Sequence, residues 1–228
     1  GLIDMNEKAN ENSWIPLIVV ACASFIIVLD SFFMNVSISR IVVDLNTDVS
    51  TIQMIVSFCT LITAALILFS TKLQDIVGKK KLFVIGAALF GIGIFAAVLS
   101  SSVMMFFVGW SAIKGVAAAL MLPAIVSIIS GIYSGKKRTI ALATLGVMAG
   151  LADILAPLLG GLITTFFSWR YTFAFELIFI LFILVMQNKI PDFKPTESKS
   201  DLVIIGSMLS GICLLLLVHG ILTLTKDV

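Results

Sequence analysis

Charged residues are scarce in this sequence: Asp, Glu, Lys and Arg make up only 12% of its 228 residues. A soluble globular domain carries about 25% charged residues. The shortage of charge, with 60% hydrophobic residues and a mean hydropathy of +1.16, therefore excludes that class. The apolar runs also lack the roughly ten-residue alternating segments of an outer-membrane β-barrel. We predict an all-α integral membrane protein.

Histidine and cysteine are also rare, with one histidine and three cysteines in the whole sequence. Cys22, Cys59 and Cys213 lie inside apolar runs, where a small packed side chain is the simplest interpretation. They form neither a disulfide framework nor a metal-binding spacing. His219, alone near the end of the last apolar run, is interpreted as an interfacial polar side chain rather than a proton relay. The sequence thus predicts no metal, no cofactor and no enzymatic activity, and it shows no nucleic-acid-binding feature.

Seven apolar runs are long enough to cross a bilayer, which takes about 20 residues in a helix. They cover residues 14 to 38, 50 to 71, 82 to 101, 103 to 133, 139 to 167, 169 to 188 and 202 to 224. The stretch KIPDFKPTESKSD, with two prolines and mixed charge, predicts a flexible linker. We therefore divide the chain into an N-terminal segment (1–13), a six-helix unit (14–188), a linker (189–201) and a seventh helix (202–228).

The basic residues fall mostly on one side of these spans. That side carries Lys8, Lys72, Lys79, Lys80, Lys81, Lys136, Lys137, Arg138, Lys189, Lys194 and Lys199, and the other carries Arg40, Arg170 and Lys226. Lysine and arginine are enriched in cytoplasmic loops. We expect a multi-pass protein of the cytoplasmic membrane, in contact with lipid, with its N-terminus, the linker and the Thr71–Leu82 segment in the cytoplasm.

The segment TKLQDIVGKKKL, Thr71 to Leu82, is a dense charge cluster between two apolar runs and predicts a tight loop at the membrane surface. It resembles the loop between helices 2 and 3 of the major facilitator superfamily, G-x-L-x-D-R-x-G-R-K-x-x-L. The matching residues are Leu73, Asp75, Gly78, Lys79, Lys80 and Leu82. By resemblance, Asp75, Gly78, Lys79 and Lys80 are expected to form a gating loop; simple positive-inside anchoring is the alternative for the lysines.

Other motifs point to the same family. The first run has Leu29-Asp30 and Asn35-Val36, the fifth has Gly150, Ala156-Pro157 and Gly160-Gly161, and the sixth opens with Trp169-Arg170-Tyr171. Together they resemble the N-terminal half of the fourteen-helix drug:proton antiporter subfamily. The resemblance implies a six-helix bundle of 3+3 inverted repeats plus a seventh helix. It also implies a second transporter half, in the same chain if this is a fragment and otherwise in a partner chain.

Four ionisable residues lie at membrane depth: Asp30, Lys114, Asp153 and Glu176. Each costs about 2.5 to 3.5 kcal/mol if charged at the bilayer centre, so each needs a partner or a cavity. All four are candidates for proton or substrate binding. The resembled fold turns helices 1, 4 and 5 toward a central cavity, so Asp30, Lys114 and Asp153 are expected to converge. For Asp30 and Glu176 the alternative is a structural hydrogen bond.

The resemblance leads to a specific prediction for Lys114. The resembled family has an arginine in helix 4 that aligns with Ser111, and Lys114 lies three residues later, near the same helix face. We predict that Lys114 replaces the arginine and neutralises Asp30 or Asp153; snorkelling to the surface is the alternative. In the fifth run, Pro157 should bend the helix, with Gly160 and Gly161 leaving room for it and Gly150 allowing close helix packing.

These residues lead to one preferred function and two alternatives. The preferred hypothesis is a proton-coupled secondary transporter that exports amphipathic or cationic compounds, with small molecules and protons as its ligands. One alternative is a non-transporting membrane subunit or scaffold that retains half of a transporter fold. The other is a uniporter or symporter of a metabolite or lipid.

Overall fold

The computed structural model describes residues 12–195 and 201–224, with the side chains of the last helix described for residues 206–219. Parts of the predicted N-terminal segment, linker and C-terminal end therefore lie outside the described residues. The helices are α1 (Ile15–Asp44), α2 (Val49–Val77), α3 (Lys79–Val98), α4 (Val103–Ile132), α5 (Gly135–Phe166), α6 (Trp169–Val185) and α7 (Asp201–Leu224). A short 3₁₀ turn, Met186–Lys189, follows α6. Within the described residues, the first six spans are long and apolar enough to cross a membrane.

The junction between α2 and α3 is a single residue, Gly78. The predicted loop at Thr71–Leu82 is therefore wrong, because α2 continues to Val77 and α3 begins at Lys79. The helix persists because its apolar spacing continues, and Ile76 is buried. Gly78 has φ +105°, a conformation that glycine adopts without the penalty of a Cβ. The charged segment is thus a sharp corner between two helices.

Side-chain caps explain where several helices begin. Asp48 accepts a hydrogen bond from the Thr51 amide at 2.7 Å, and Ser102 and Ser168 cap α4 and α6 in the same way. Such caps satisfy amide groups that the first helical turn leaves unpaired. The hydrogen bond from Thr51 also lowers the pKa of Asp48. Polar residues in the short connections therefore fix the helix starts that hydropathy alone places only roughly.

Helices α1 and α4 form the interior of the bundle, while α2 and α5 leave most of their surface open. Helix α1 packs against α5 and α6, and α4 packs against α2 and α3. The seventh helix lies against α2, where a Cβ on Gly211 would come 3.0 Å from the Ala65 carbonyl oxygen. Asp30 near the middle of α1 and Lys114 of α4 are accordingly buried in the bundle interior.

The backbones of α3 and α4 touch at Gly93 and Gly109. A Cβ on Gly93 would lie 2.6 Å from the Gly109 carbonyl oxygen, and one on Gly109 would lie 2.8 Å from the Gly93 carbonyl oxygen. Gly109 belongs to Phe107–Ile113, a π-helical stretch of α4, and such stretches are frequent at functional sites. Neither glycine belongs to the motifs recognised in the sequence.

A polar cluster joins the helix ends on the side of the bundle opposite Gly78. The Trp169 indole donates to Asp44 at 2.7 Å, and Arg170 donates to the carbonyl oxygens of Val98 and Ser100 at 2.8 and 2.6 Å. These bonds tie the start of α6 to the ends of α1 and α3. Trp169 and Arg170 therefore connect helix ends, a role that was not predicted from the resemblance of their motif to a family pattern.

Candidate functional site

A buried ion pair links the two central helices. Lys114 of α4 donates from Nζ to Oδ2 of Asp30 of α1 at 2.6 Å. Both side chains are buried. Removing two charges from water costs several kcal/mol per ion, and their attraction offsets that cost only when the geometry is good and further hydrogen bonds are made.

Trp110 supplies the further contacts. Its indole Nε1 donates to Oδ1 of Asp30 at 3.1 Å, so each oxygen of that carboxylate has a donor. The Lys114 ammonium also lies 3.6 Å from the centroid of the Trp110 ring, which is a cation–π contact. Asp30, Lys114 and Trp110 therefore form one closed cluster, which we call the α1–α4 charge cluster.

The local structure of α4 separates Ser111 from this cluster. Ser111 is buried and donates from Oγ to the Ile55 carbonyl oxygen of α2 at 2.8 Å. Lys114, at the end of the π-helical stretch, reaches Asp30 of α1 instead. Of the two partners considered for Lys114, the structure places Asp30 in contact with it, and the snorkelling alternative does not describe its position.

Glu176 of α6 lies beside the cluster. It is fully buried, and it interacts electrostatically with both Asp30 and Lys114. No donor from the described residues reaches either of its carboxyl oxygens, and its side-chain hydrogen-bonding contact is with the Asp30 carboxyl. The three buried ionisable groups of this site therefore come from α1, α4 and α6.

Asp153 does not join them, so the expected convergence of Asp30, Lys114 and Asp153 is wrong. Ala152 and Ala156 of α5 are fully buried, whereas Asp153 is exposed. Successive residues of a helix point about 100° apart, so a helix that buries these two alanines turns Asp153 away from the bundle. Asp153 lies on the open face of α5.

The predicted gating residues contact the start of the linker. Lys79 donates to the Ser127 carbonyl oxygen at 3.2 Å and lies 4.3 Å from the Phe193 ring centroid. Lys80 pairs with Asp192 at 3.2 Å, but Asp192 is 94% exposed, so this pair contributes only about 0 to 1 kcal/mol. Asp75 and Lys194 line the same small cleft. This docking of the linker was not predicted from the sequence.

The glycines of α5 have different surroundings. A Cβ on Gly160 would lie 3.2 Å from the Phe33 ring of α1, whereas one on Gly150 or Gly161 would meet nothing within 4 Å in the described residues. The helix is continuous through Pro157, which is exposed. Gly160 therefore allows α5 to pack closely against α1. Gly150 and Gly161 lie on a surface where another helix has room to approach.

Sequence reasoning missed Trp110 as a site residue. The available signal was its spacing, since Trp110 precedes Lys114 by four residues and both therefore lie near one helix face. A buried indole usually finds a hydrogen-bond acceptor for its N–H group. Cys59 was also missed: this buried thiol interacts with the Lys114 ammonium from the α2 side.

Comparison with known proteins identifies the family. The family model described as Major Facilitator Superfamily matches residues 20–199. The chain belongs to this superfamily. It is 25% identical to the lincomycin resistance protein of Streptomyces lincolnensis over 97% of the chain and 46% of that protein. It is 30% identical to the quinolone resistance protein NorB of Staphylococcus aureus (strain JH9) over 68% of the chain and 33% of that protein.

The solved structures support the same fold. A crystal structure of the peptide transporter POT in complex with sulfate superposes with a TM-score of 0.69 and 19% identity, over 91% of this chain and 46% of that one. This major facilitator chain therefore spans less than half the length of these relatives. The predictions of an all-α membrane protein, a six-helix major facilitator bundle with a seventh helix, and membership of this superfamily are confirmed. Membership also agrees with the expectation that the chain is not an enzyme.

Proposed function

We propose that the full-length protein is a proton-coupled secondary transporter that exports amphipathic or cationic compounds. The observation that carries this proposal is the buried ion pair between Lys114 and Asp30. Asp30, Lys114 and Glu176 form the proton-coupling site. The names of two relatives, a lincomycin and a quinolone resistance protein, support export of drug-like compounds.

A buried ion pair is a poor way to gain stability, because well-packed apolar residues of the same volume often stabilise a protein as much or more. Its advantage is that the carboxylate can change its partner. A proton on Asp30 replaces Lys114 as the partner of the carboxylate. Because the pair spans α1 and α4, this exchange weakens or restores a contact between the two central helices. Binding is thereby linked to a change of conformation.

The substrate surface lies on the open side of the bundle. Helix α1 exposes Ser31, Asn35 and Ser39 at intervals of four residues, and α5 exposes Asp153. An exposed carboxylate at membrane depth favours a cationic ligand, and hydroxyl and amide groups add hydrogen bonds. We assign Asp153 to substrate recognition and the buried carboxyls to proton coupling.

A second transporter half completes this surface. Helices α2 and α5 bury only 22% and 17% of their apolar windows, and Gly150, Pro157 and Gly161 lie on the open part of α5. Asp75, Gly78, Lys79 and Lys80 form the corner at the lysine-rich end and contact the second half there. We place this end in the cytoplasm and the bundle in the cytoplasmic membrane, because lysine-rich loops stay on that side.

Transport by the full-length protein in proteoliposomes tests the proposal. The probe is ethidium, a permanent aromatic cation, and the driving force is an imposed pH gradient. We expect ethidium movement that stops when the gradient is collapsed, and that is lost in Asp30→Asn. Asp48→Asn is the matched control, because asparagine also caps a helix and position 48 lies outside the buried site. Wild-type protein that moves ethidium equally well without a gradient favours a uniporter, and no movement at all favours a scaffold; either result contradicts the proposal.

A further inference from the structure

Glu176 is the buried ionisable group that the Lys114–Asp30 pair leaves without a counter-charge of its own. It has no solvent exposure. No donor from the described residues reaches its carboxyl oxygens, and its side chain contacts the Asp30 carboxyl. A buried polar group without a partner costs free energy, and a buried unpaired charge costs far more. A group retained in such a position needs an explanation.

The charges around Glu176 decide its protonation state. Helix α6 packs against α1, α3 and α5. The ionisable neighbour from α1 is Asp30, the ionisable residues of α3 are the lysines at its start, and Asp153 of α5 is exposed. Lys114 of α4 also acts on Glu176, but its ammonium is committed to Asp30.

An ionised Glu176 would place two carboxylates beside one ammonium in a buried site, giving a net charge of −1. A protonated Glu176 leaves one ammonium, one carboxylate and one neutral acid, giving a net charge of zero. Two neighbouring carboxyls that share a site ionise one at a time for the same reason. The neutral arrangement is therefore the stable one.

We infer that Glu176 holds the transported proton in this conformation, as a neutral carboxylic acid, while Asp30 stays ionised and paired with Lys114. This inference rests on the proposed function and specifies which carboxyl is loaded. Helix α6 thereby takes part in proton coupling together with α1 and α4.

The proton leaves Glu176 by a step that conserves charge. The Glu176 O–H bond breaks and the proton moves to the Asp30 carboxylate, which becomes a neutral acid. The Lys114 ammonium then transfers its ion pair from Asp30 to the new Glu176 carboxylate. The site contains one ammonium, one carboxylate and one acid before and after the step, so no uncompensated charge forms in the bundle interior.

Glu176→Gln in the full-length protein tests this inference. Glutamine has nearly the shape of the protonated side chain but cannot release a proton. Ethidium movement driven by a pH gradient should fall at least about tenfold, a change of about 1.4 kcal/mol. Asp48→Asn is again the control for a neutralised carboxylate outside the site.

The outcomes separate the inference from the proposed function. Gradient-driven movement that persists in Glu176→Gln, in a protein whose wild type depends on the gradient, overturns the inference and leaves the proposed function intact. Wild-type protein without any gradient dependence overturns both.

Infrared spectroscopy provides a second test that does not need transport. The neutral-acid carbonyl band at neutral pH should disappear in Glu176→Gln. If that variant does not fold, the band should shift in Glu176→Asp, which keeps the acid but shortens the side chain. A band that neither substitution changes overturns the inference.

Discussion

Trp110 and Asp30 are joined across α4 and α1 by a hydrogen bond of 3.1 Å from the indole Nε1 to Oδ1. The other oxygen of the same carboxylate accepts from Lys114. One residue of α1 is therefore held by two residues of α4 that lie four positions apart. Three contacts in one buried cluster, counting the ammonium over the indole ring, make these side chains interdependent.

Breaking the ion pair from one side should destabilise the protein more than removing it altogether. Lys114→Met leaves the Asp30 carboxylate without its counter-charge, and we expect a loss of about 3 to 5 kcal/mol in the free energy of unfolding. The double variant Asp30→Asn with Lys114→Met should recover most of this loss. Unfolding of the full-length protein in detergent, analysed as a double-mutant cycle, measures the coupling. Additive effects of the two substitutions would show that the pair is energetically unimportant.

The indole N–H group of Trp110 should contribute separately from its ring. Trp110→Phe keeps an aromatic face under the ammonium but removes the donor to Asp30, and hydrogen bonds to charged groups are worth about 1.5 to 3 kcal/mol. We expect a loss of unfolding free energy in that range. Trp14→Phe makes the same substitution at a residue that is 40% exposed and serves as the control. Equal effects at both positions would remove Trp110 from the site.

Contact between α3 and α4 should depend on Gly109. Gly109→Ala brings a Cβ to 2.8 Å from both the Gly93 carbonyl oxygen and the Ala96 Cβ, so α4 has to shift and carry Trp110 and Lys114 with it. We expect a clear fall in Tm, and weaker ethidium movement than in wild type. Gly206→Ala, where a Cβ meets nothing within 4 Å in the described residues, is the control. A Tm for Gly109→Ala that matches this control contradicts the close contact.

Hydropathy was sufficient for the number and order of the helices, because each span needs a long apolar run whatever its neighbours are. It was insufficient at the α2–α3 junction, where charged residues suggested a loop although Ile76 continued the helical spacing. The partnership of Lys114 with Asp30 was among the predicted pairs because a buried charge needs a counter-charge. The exclusion of Asp153 was not predictable in the same way, since it depends on which face of α5 packs against α1.

The π-helical stretch and the docking of Phe193 on Lys79 had no usable sequence signal. Both arise from contacts between distant segments, such as Gly93 with Gly109, and neither follows from local periodicity. Trp110 was predictable only in part. Its spacing from Lys114 is visible in the sequence, but its hydrogen-bond acceptor, Asp30, is on another helix. Interhelical contacts are thus the part of the site that only the structure provides.

Sidedness can be tested by labelling single cysteines in intact cells. In a variant without Cys22, Cys59 and Cys213, Lys194→Cys should be protected from an impermeant maleimide added outside, because the lysine-rich end is predicted to be cytoplasmic. Tyr171→Cys, at a position 61% exposed on the opposite face, should be labelled. The reverse pattern would overturn the predicted orientation.

The central claim is that the buried carboxyls couple protons to the substrate, and proton release on ethidium binding tests it most directly. Calorimetry of the full-length protein in buffers of different ionisation enthalpy counts the protons released per bound cation. Binding and protonation that are coupled through one conformational change are reciprocally linked. The account predicts that wild-type protein releases protons when it binds ethidium, and that Asp30→Asn releases far fewer. A binding enthalpy that does not depend on the buffer for wild-type protein would contradict it.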